Sequence, residues 1–336
     1  MDSTGQPVLL RGGDFRGYHF GDQGLWKTSH SEHDYQNFRS WGFNVVRLLI
    51  SWSKIEPKKG VYDDRYLAYV DRDIQWARKN GVYIVLDMHQ WNWNAKWGGN
   101  GAPDWAVIQY PATKQGQLMA VMNFWQNTSL RVSFVNMWKH VAQRYANEST
   151  IAGYDILNEP WVQMFDDSVI SEPKQWAIIE NFYEEAIHGI RSVDSNHIIF
   201  VEPYKPDFST LHPLNVSNLV WSPHFYPYVY DYYGKPYSQY NVSILEKYLK
   251  GYYDKFVVEF KQPIWIGEFG IDMWVIGSGS WVSDSVQLFA KYQVGWAWWA
   301  YWKSDDPTTD MYLLAQDGSP RWLILQFLVH PSLTPS

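Results

Sequence analysis

The sequence predicts an α/β fold, an eight-stranded parallel (β/α)8 TIM barrel formed as a single domain over residues 1–336. Three observations predict it. Short apolar runs rich in β-branched residues alternate with longer segments of helical periodicity, the pattern of parallel strands covered by helices. Eight such runs occur, the number that closes a barrel. Run after run stops at a polar or charged residue, at the end where a barrel collects its chemistry. No Gly-x-Gly-x-x-Gly follows the first run, so an open dinucleotide-binding sheet lacks its phosphate-binding turn.

Val8-Leu9-Leu10 reads as the first strand, followed by Arg11-Gly12-Gly13-Asp14. Residues 31–41 look helical and stop at Gly42. Residues 43–50 form a second strand, near-continuously apolar as expected when both faces are covered, with Arg47 its one charge. Leu67, Val70, Ile74 and Ala77 place a helix over 66–80, ended by Gly81. Residues 82–89 are the third strand, running out at Asp87, Met88 and His89. A wet, Trp-rich insert then spans about 90–126. Beyond it the reading is helix 129–147, strand 151–157, helix 173–193, strand 197–201, and strand 219–222 running into Pro223-His224-Phe225-Tyr226-Pro227. Helix 244–260, strand 263–266, helix 283–293, strand 295–299 and a closing helix 323–329 complete the chain.

Composition narrows the function. Net charge is −7 with no basic run, which excludes an electrostatic nucleic-acid footprint. Cysteine is absent, so disulfides, thiolate metal sites and cysteine nucleophiles are excluded. No apolar stretch is long enough to span a membrane. Aromatics reach 18%, with 21 Trp and 24 Tyr; such rings pack cores, and they also stack on sugar rings. Residues 1–7 lack the charged and apolar regions of a signal peptide, while four Asn-x-Ser/Thr sequons, at Asn127, Asn147, Asn215 and Asn241, point to an extracellular protein in mature form. A monomer is expected.

Two stretches share one shape. Ile156-Leu157-Asn158-Glu159-Pro160 and Ile264-Trp265-Ile266-Gly267-Glu268 each end a buried strand in a carboxylate, 109 residues apart. A carboxylate there is costly unless it has a partner or a task. The other polar strand ends are Arg47, His89, His224 with Tyr226, and Trp298 or Trp299. In a barrel they converge on one cup.

This set resembles glycoside hydrolase family 5, over nearly the whole chain. Asn158-Glu159-Pro160 resembles the family's acid/base motif and Ile266-Gly267-Glu268-Phe269-Gly270 its nucleophile motif, while Arg47, His89, Asn158, His224, Tyr226 and an eighth-strand Trp match the positions kept around them. Asp87-Met88-His89-Gln90 followed by Gly99-Asn100-Gly101-Ala102-Pro103-Asp104-Trp105-Ala106 is most similar to the endoglycoceramidase-like branch. Three departures stand out: Trp91 where the branch has Asp, Asp14 where the family commonly has Asn, and a chain too short for the branch's β-sandwich.

The resemblance implies a retaining endo-β-glycosidase without cofactor or metal, in which Glu268 attacks the anomeric carbon and Glu159 serves as acid and then base. Arg47 and Tyr226 are expected to keep Glu268 ionised, and burial with the charge of Glu268 to raise Glu159. Asn158 is placed to bind a sugar 2-hydroxyl, and His89 and His224 to position hydroxyls and Glu159. Trp299 is expected as the sugar platform, with Trp298 the other candidate, because period-two alternation turns only one of them into the cup. Trp91 and Trp93 of the insert, with Trp97 and Trp105, are candidates to wall a groove. The expected substrate is a β-1,4-linked glucan, as for a cellulase; a glycolipid or a β-mannan is the alternative. Two rivals remain: a metal-dependent barrel hydrolase using Asp87, His89 and His224, which would want a His-x-His where Gly17-Tyr18-His19 stands, and a non-hydrolytic carbohydrate-binding barrel, which would need one glutamate lost.

Overall fold

The computed structural model describes residues 6, 8–16, 30–161, 171–203, 210–227, 234–303 and 311–329. Its strands are β1 (Arg11–Phe15), β2 (Val45–Ile50), β3 (Tyr83–Met88), β4 (Ile151–Asp155), β5 (Ile198–Val201), β6 (Leu219–Trp221), β7 (His224–Phe225), β8 (Trp265–Phe269) and β9 (Gly295–Tyr301). They pair in parallel in the order β6-β5-β4-β3-β2-β1-β9-β8-β7. A parallel bridge between Trp221 and Ile264 joins the two ends of that order. The nine segments therefore make eight staves: β6 and β7 are halves of one strand, split where Pro223 has no N–H for the ladder. This is the expected TIM barrel.

Boundaries differ from expectation in places. The first strand is residues 11–15, not 8–10. Gly12 belongs to the strand, where a Cβ would lie 1.7 Å from the Val45 carbonyl oxygen; β1 and β2 approach too closely for any side chain. The 90–126 insert is not all loop: Asp104–Val107 and Lys114–Gln126 are helical, the latter capped by Thr113. The 244–260 helix is α-helical over Asn241–Tyr252 and then winds as a π-helix over Tyr253–Glu259. The helix before β9 begins at Ser278, earlier than expected.

Period-two alternation sorts the barrel interior into tiers. Val45, Val85, Phe200, Trp265 and Ala297 form an apolar floor of their own, separate from the larger core between strands and helices. Two residues further along three of these strands stand Arg47, Asp87 and Glu202. The tier above the floor is thus charged, and it carries the site. Among the described residues no helix is long and apolar enough to cross a membrane.

Candidate active site

Arg47 is the hub of the charged tier. It is fully buried, and its guanidinium donates to Asp14 Oδ1 at 2.9 Å, Asp155 Oδ2 at 3.0 Å, Glu202 Oε1 at 2.8 Å, Glu268 Oε1 at 2.8 Å and Asn158 Oδ1 at 3.0 Å. Asp87 Oδ1 lies 3.1 Å away. A planar fork with five donors is suited to holding several carboxylates at once. Buried this deeply, Arg47 works through those groups and does not offer a donor to a sugar as a substrate-binding residue would. Burial opposes its charge, but Asp87, Asp155, Asp14 and Glu268 hold its pKa well above the ordinary value.

Glu159 and Glu268 meet above this hub. A carboxylate oxygen of each and a ring nitrogen of His224 all lie within 4.8 Å of one another. Tyr226 donates to Glu268 Oε2 at 3.1 Å. His224 Nδ1 lies 3.0 Å from Glu159 Oε1 and 3.5 Å from Glu268 Oε2. Gly267 makes the crossing possible, since a Cβ there would come within 2.4 Å of Ser222 Oγ and 3.4 Å of the His224 ring. Gln90 holds the chain beneath Glu159: its Nε2 donates to the carbonyls of Asn158 at 3.0 Å and Glu159 at 2.9 Å.

The two histidines divide the work. His224 serves Glu159. His89 is held by Asp87, with Nδ1 2.8 Å from Oδ2, and stacks on Trp299 with ring centroids 5.4 Å apart and planes at 15°. Asn158 is 2% exposed; its amide oxygen accepts from Arg47 and its Nδ2 donates to the Gln90 carbonyl at 3.0 Å. One amide proton at most is left for a ligand.

The tryptophan assignments are sorted by burial. Trp299 is half-buried at the mouth, two residues above Ala297 of the floor. Trp298 turns the other way, fully buried, with its ring 5.1 Å from Phe269 and Nε1 donating to the Met311 carbonyl at 2.8 Å; it is a core residue and not a platform. Trp91 is 44% exposed and meets Trp161 edge-on at 6.0 Å. Trp93, only 4% exposed, packs on Phe124 at 4.9 Å and cannot line a groove. Trp97 and Trp105 spend their indole N–H groups on the carbonyls of Pro111 and Glu56.

Electrostatics at rest reverse one expectation. Burial raises both glutamates most strongly. At Glu159 the hydrogen bond and charge of His224 overcome it, so this carboxyl lies below its ordinary value. At Glu268 the charges of His224 and Arg47 fall short, and its carboxyl is raised. Burial works against the His224 cation, yet Glu202, Glu268 and the Glu159 hydrogen bond hold it well above the ordinary histidine value. The proton expected on Glu159 therefore lies toward His224 across their 3.0 Å contact, and the pair titrates as one unit. Burial also lifts Asp87 and Asp155 to about 6 and Glu202 to about 8, against the pull of Arg47 and His224.

Glu202 escapes a reading of the sequence, although Val201-Glu202-Pro203 repeats the pattern of an apolar run, a carboxylate and a proline seen at Glu159. Asp87, Asp155 and Glu202 lie close enough to share a cation, but the Arg47 guanidinium already contacts all three. The Gly17-Tyr18-His19 stretch of the metal reading lies outside the described residues.

Known proteins carry the same architecture. The sequence model described as Cellulase (glycosyl hydrolase family 5) matches residues 1–305. An endoglycoceramidase of Cyanea nozakii is 27% identical over 250 residues, which cover 62% of this chain but 50% of that protein. Endoglucanase C of Acetivibrio thermocellus is 23% identical over 322 residues, 82% of this chain and 84% of the relative. Among solved structures, endo-glycoceramidase II from Rhodococcus sp. in a five-membered iminocyclitol complex superposes with a TM-score of 0.85 at 24% identity, covering 97% of this chain and 79% of that one. The match to the family over most of the chain, on a barrel that brings its two motif glutamates together, means that this protein is a glycoside hydrolase belonging to glycosyl hydrolase family 5.

Proposed function

We propose that this enzyme is a retaining endo-β-glycosidase acting on a β-1,4-linked glucan, with Glu268 as nucleophile and Glu159 as acid/base. The observation that carries the reading is the close approach of the two carboxylates, one oxygen of each lying within 4.8 Å of the other. Retaining enzymes hold theirs about 5–5.5 Å apart, whereas an inverting enzyme needs about 6.5–9.5 Å to admit a water between acid and base.

Glu268 forms a bond to the anomeric carbon as the glycosidic C–O bond breaks. Arg47 on Oε1 and Tyr226 on Oε2 orient its carboxylate and match the charge it carries before attack. The departing oxygen takes the proton shared by His224 and Glu159. Water then attacks the glycosyl-enzyme, Glu159 accepts its proton, and Glu268 is released. Trp299 lies under the sugar at the cleavage point, and the exposed face of Trp91 continues the surface for a further sugar along the chain.

A glycolipid is the second reading. It is supported by the likeness to endoglycoceramidases and by Trp274 and Ile276, 42% and 73% exposed after β8, where an apolar aglycone would find matching surface. Release of reducing ends from carboxymethylcellulose, glucomannan and a glycosylceramide discriminates. Activity on carboxymethylcellulose is expected; activity confined to the glycosylceramide overturns the glucan assignment in favour of the glycolipid, and activity confined to glucomannan makes the enzyme a β-mannanase.

A further inference from the structure

Glu202 makes and breaks no bond in that sequence of steps, yet it touches both partners that share the proton. It follows β5 directly and is 2% exposed. Its Oε2 accepts the backbone N–H of Glu159 at 2.7 Å. Its Oε1 accepts from Arg47 and lies 3.3 Å from His224 Nε2. The His224 ring is thereby bracketed, Glu159 on one nitrogen and Glu202 on the other. Glu202 is itself clamped: the Tyr183 hydroxyl donates to its carbonyl at 2.8 Å and accepts its N–H at 3.0 Å. Glu159 needs such a hold, because its φ of +43° lies in the left-handed region that strains a residue with a side chain.

We propose that Glu202 is a positioning residue for proton transfer, fixing the main chain of Glu159 and the imidazole of His224 through separate carboxylate oxygens. The proposal rests on the reading of Glu159 as acid/base. Arg47, Asp87, Asp155, Glu268 and His89 also face this group of three; burial and the charge of Arg47 hold His89 well below the ordinary histidine value, so Glu202 acts within a fixed field of one outside cation, Arg47, and several carboxyl groups. The oxygen it sets beside Nε2 favours the protonated imidazole, and an amide in its place makes the proton between His224 and Glu159 easier to lose.

Glu202→Gln keeps the shape but turns one acceptor toward a donor. The test compares kcat/KM for two glycosides of one sugar, an oligosaccharide whose alkoxide leaving group needs a proton and a 2,4-dinitrophenyl glycoside that does not. The variant is expected to lose roughly 50-fold on the oligosaccharide and no more than about threefold on the dinitrophenyl glycoside, as befits an impaired general acid. The alkaline limb of its pH profile moves to lower pH. Equal losses on both substrates, or an unmoved alkaline limb, overturn the proposal. If Glu202→Gln melts below the assay temperature, Tyr183→Phe loosens the main chain that carries the same carboxylate, and the same split or its absence decides. Glu159→Ala, assayed in parallel, separates the two claims. No leaving-group split in Glu159→Ala overturns the acid/base reading itself, whereas a split there without one in Glu202→Gln overturns only the role of Glu202.

Discussion

Arg47 Nη1 donates to Glu268 Oε1 at 2.8 Å across the barrel, joining the second stave to the seventh and the hub of the charged tier to the proposed nucleophile. The contact ties stability to chemistry, since the buried Arg47 also pairs with Asp14, Asp87, Asp155 and Glu202. Arg47→Met leaves those carboxyls without their donor. A loss of about 3–5 kcal/mol in unfolding free energy is expected, the usual cost of stripping one partner from a buried ion pair. Chemical denaturation of the variant against the wild type measures it.

Glu268→Gln keeps the contacts of Arg47 and Tyr226 nearly in place while removing the attacking oxygen's charge. Turnover is expected to fall about 10⁴-fold or more with little change in melting temperature. Retention of most activity on an oligosaccharide would show that another group attacks the sugar.

Trp299 and Trp298 adjoin in sequence and face opposite sides of the wall, so their truncations have opposite signatures. Trp298→Ala is expected to cost about 3–5 kcal/mol of stability through the cavity it leaves. Trp299→Ala is expected to lower kcat/KM sharply while moving the melting temperature little. Trp93 and Trp91 repeat the contrast, with Trp93→Ala destabilising and Trp91→Ala weakening only longer substrates. Melting curves and kinetics on a series of oligosaccharides of increasing length check both pairs.

The charged tier also predicts how stability follows pH. Asp87 and Asp155 at about 6, Glu202 at about 8 and the raised Glu268 bind protons more tightly in the folded protein than in the unfolded chain. Raised carboxyls give a folded state favoured at low pH, with stability lost as pH rises from about 4 through those folded values. The raised His224 acts in the same direction, its contribution present below about 6.5 and lost as pH climbs through its folded value. Glu159, held low, acts oppositely: its contribution is present above its unfolded value and lost in acid. The melting temperature is therefore expected to be higher near pH 5 than near pH 9. A melting temperature that rises across that range in calorimetry contradicts the arrangement of charges described above.

Much of the site is legible from the residues alone. Glu159 and Glu268 stand out because each ends an apolar run that has no other place for a charge, and Arg47 because it interrupts one. Glu202 bears the same mark but follows a short strand, with no family motif to draw attention to it. The outcomes for Trp91 and Trp93 were not legible. Both sit in one polar segment two residues apart, and only the helix over Lys114–Gln126, which brings Phe124 against Trp93, buries one and leaves the other open.

By itself the sequence determines the order of strands and helices, the closed barrel and the residues that reach its mouth. These follow from local periodicity and from the rule that parallel strands need covered faces. Which mouth residues touch, and who holds the proton, only the tertiary structure decides. Those outcomes depend on distances of a few ångströms between groups on different staves and on how completely each is stripped of water. Burial is what lifts Glu268, and the 3.0 Å approach of His224 is what lowers Glu159.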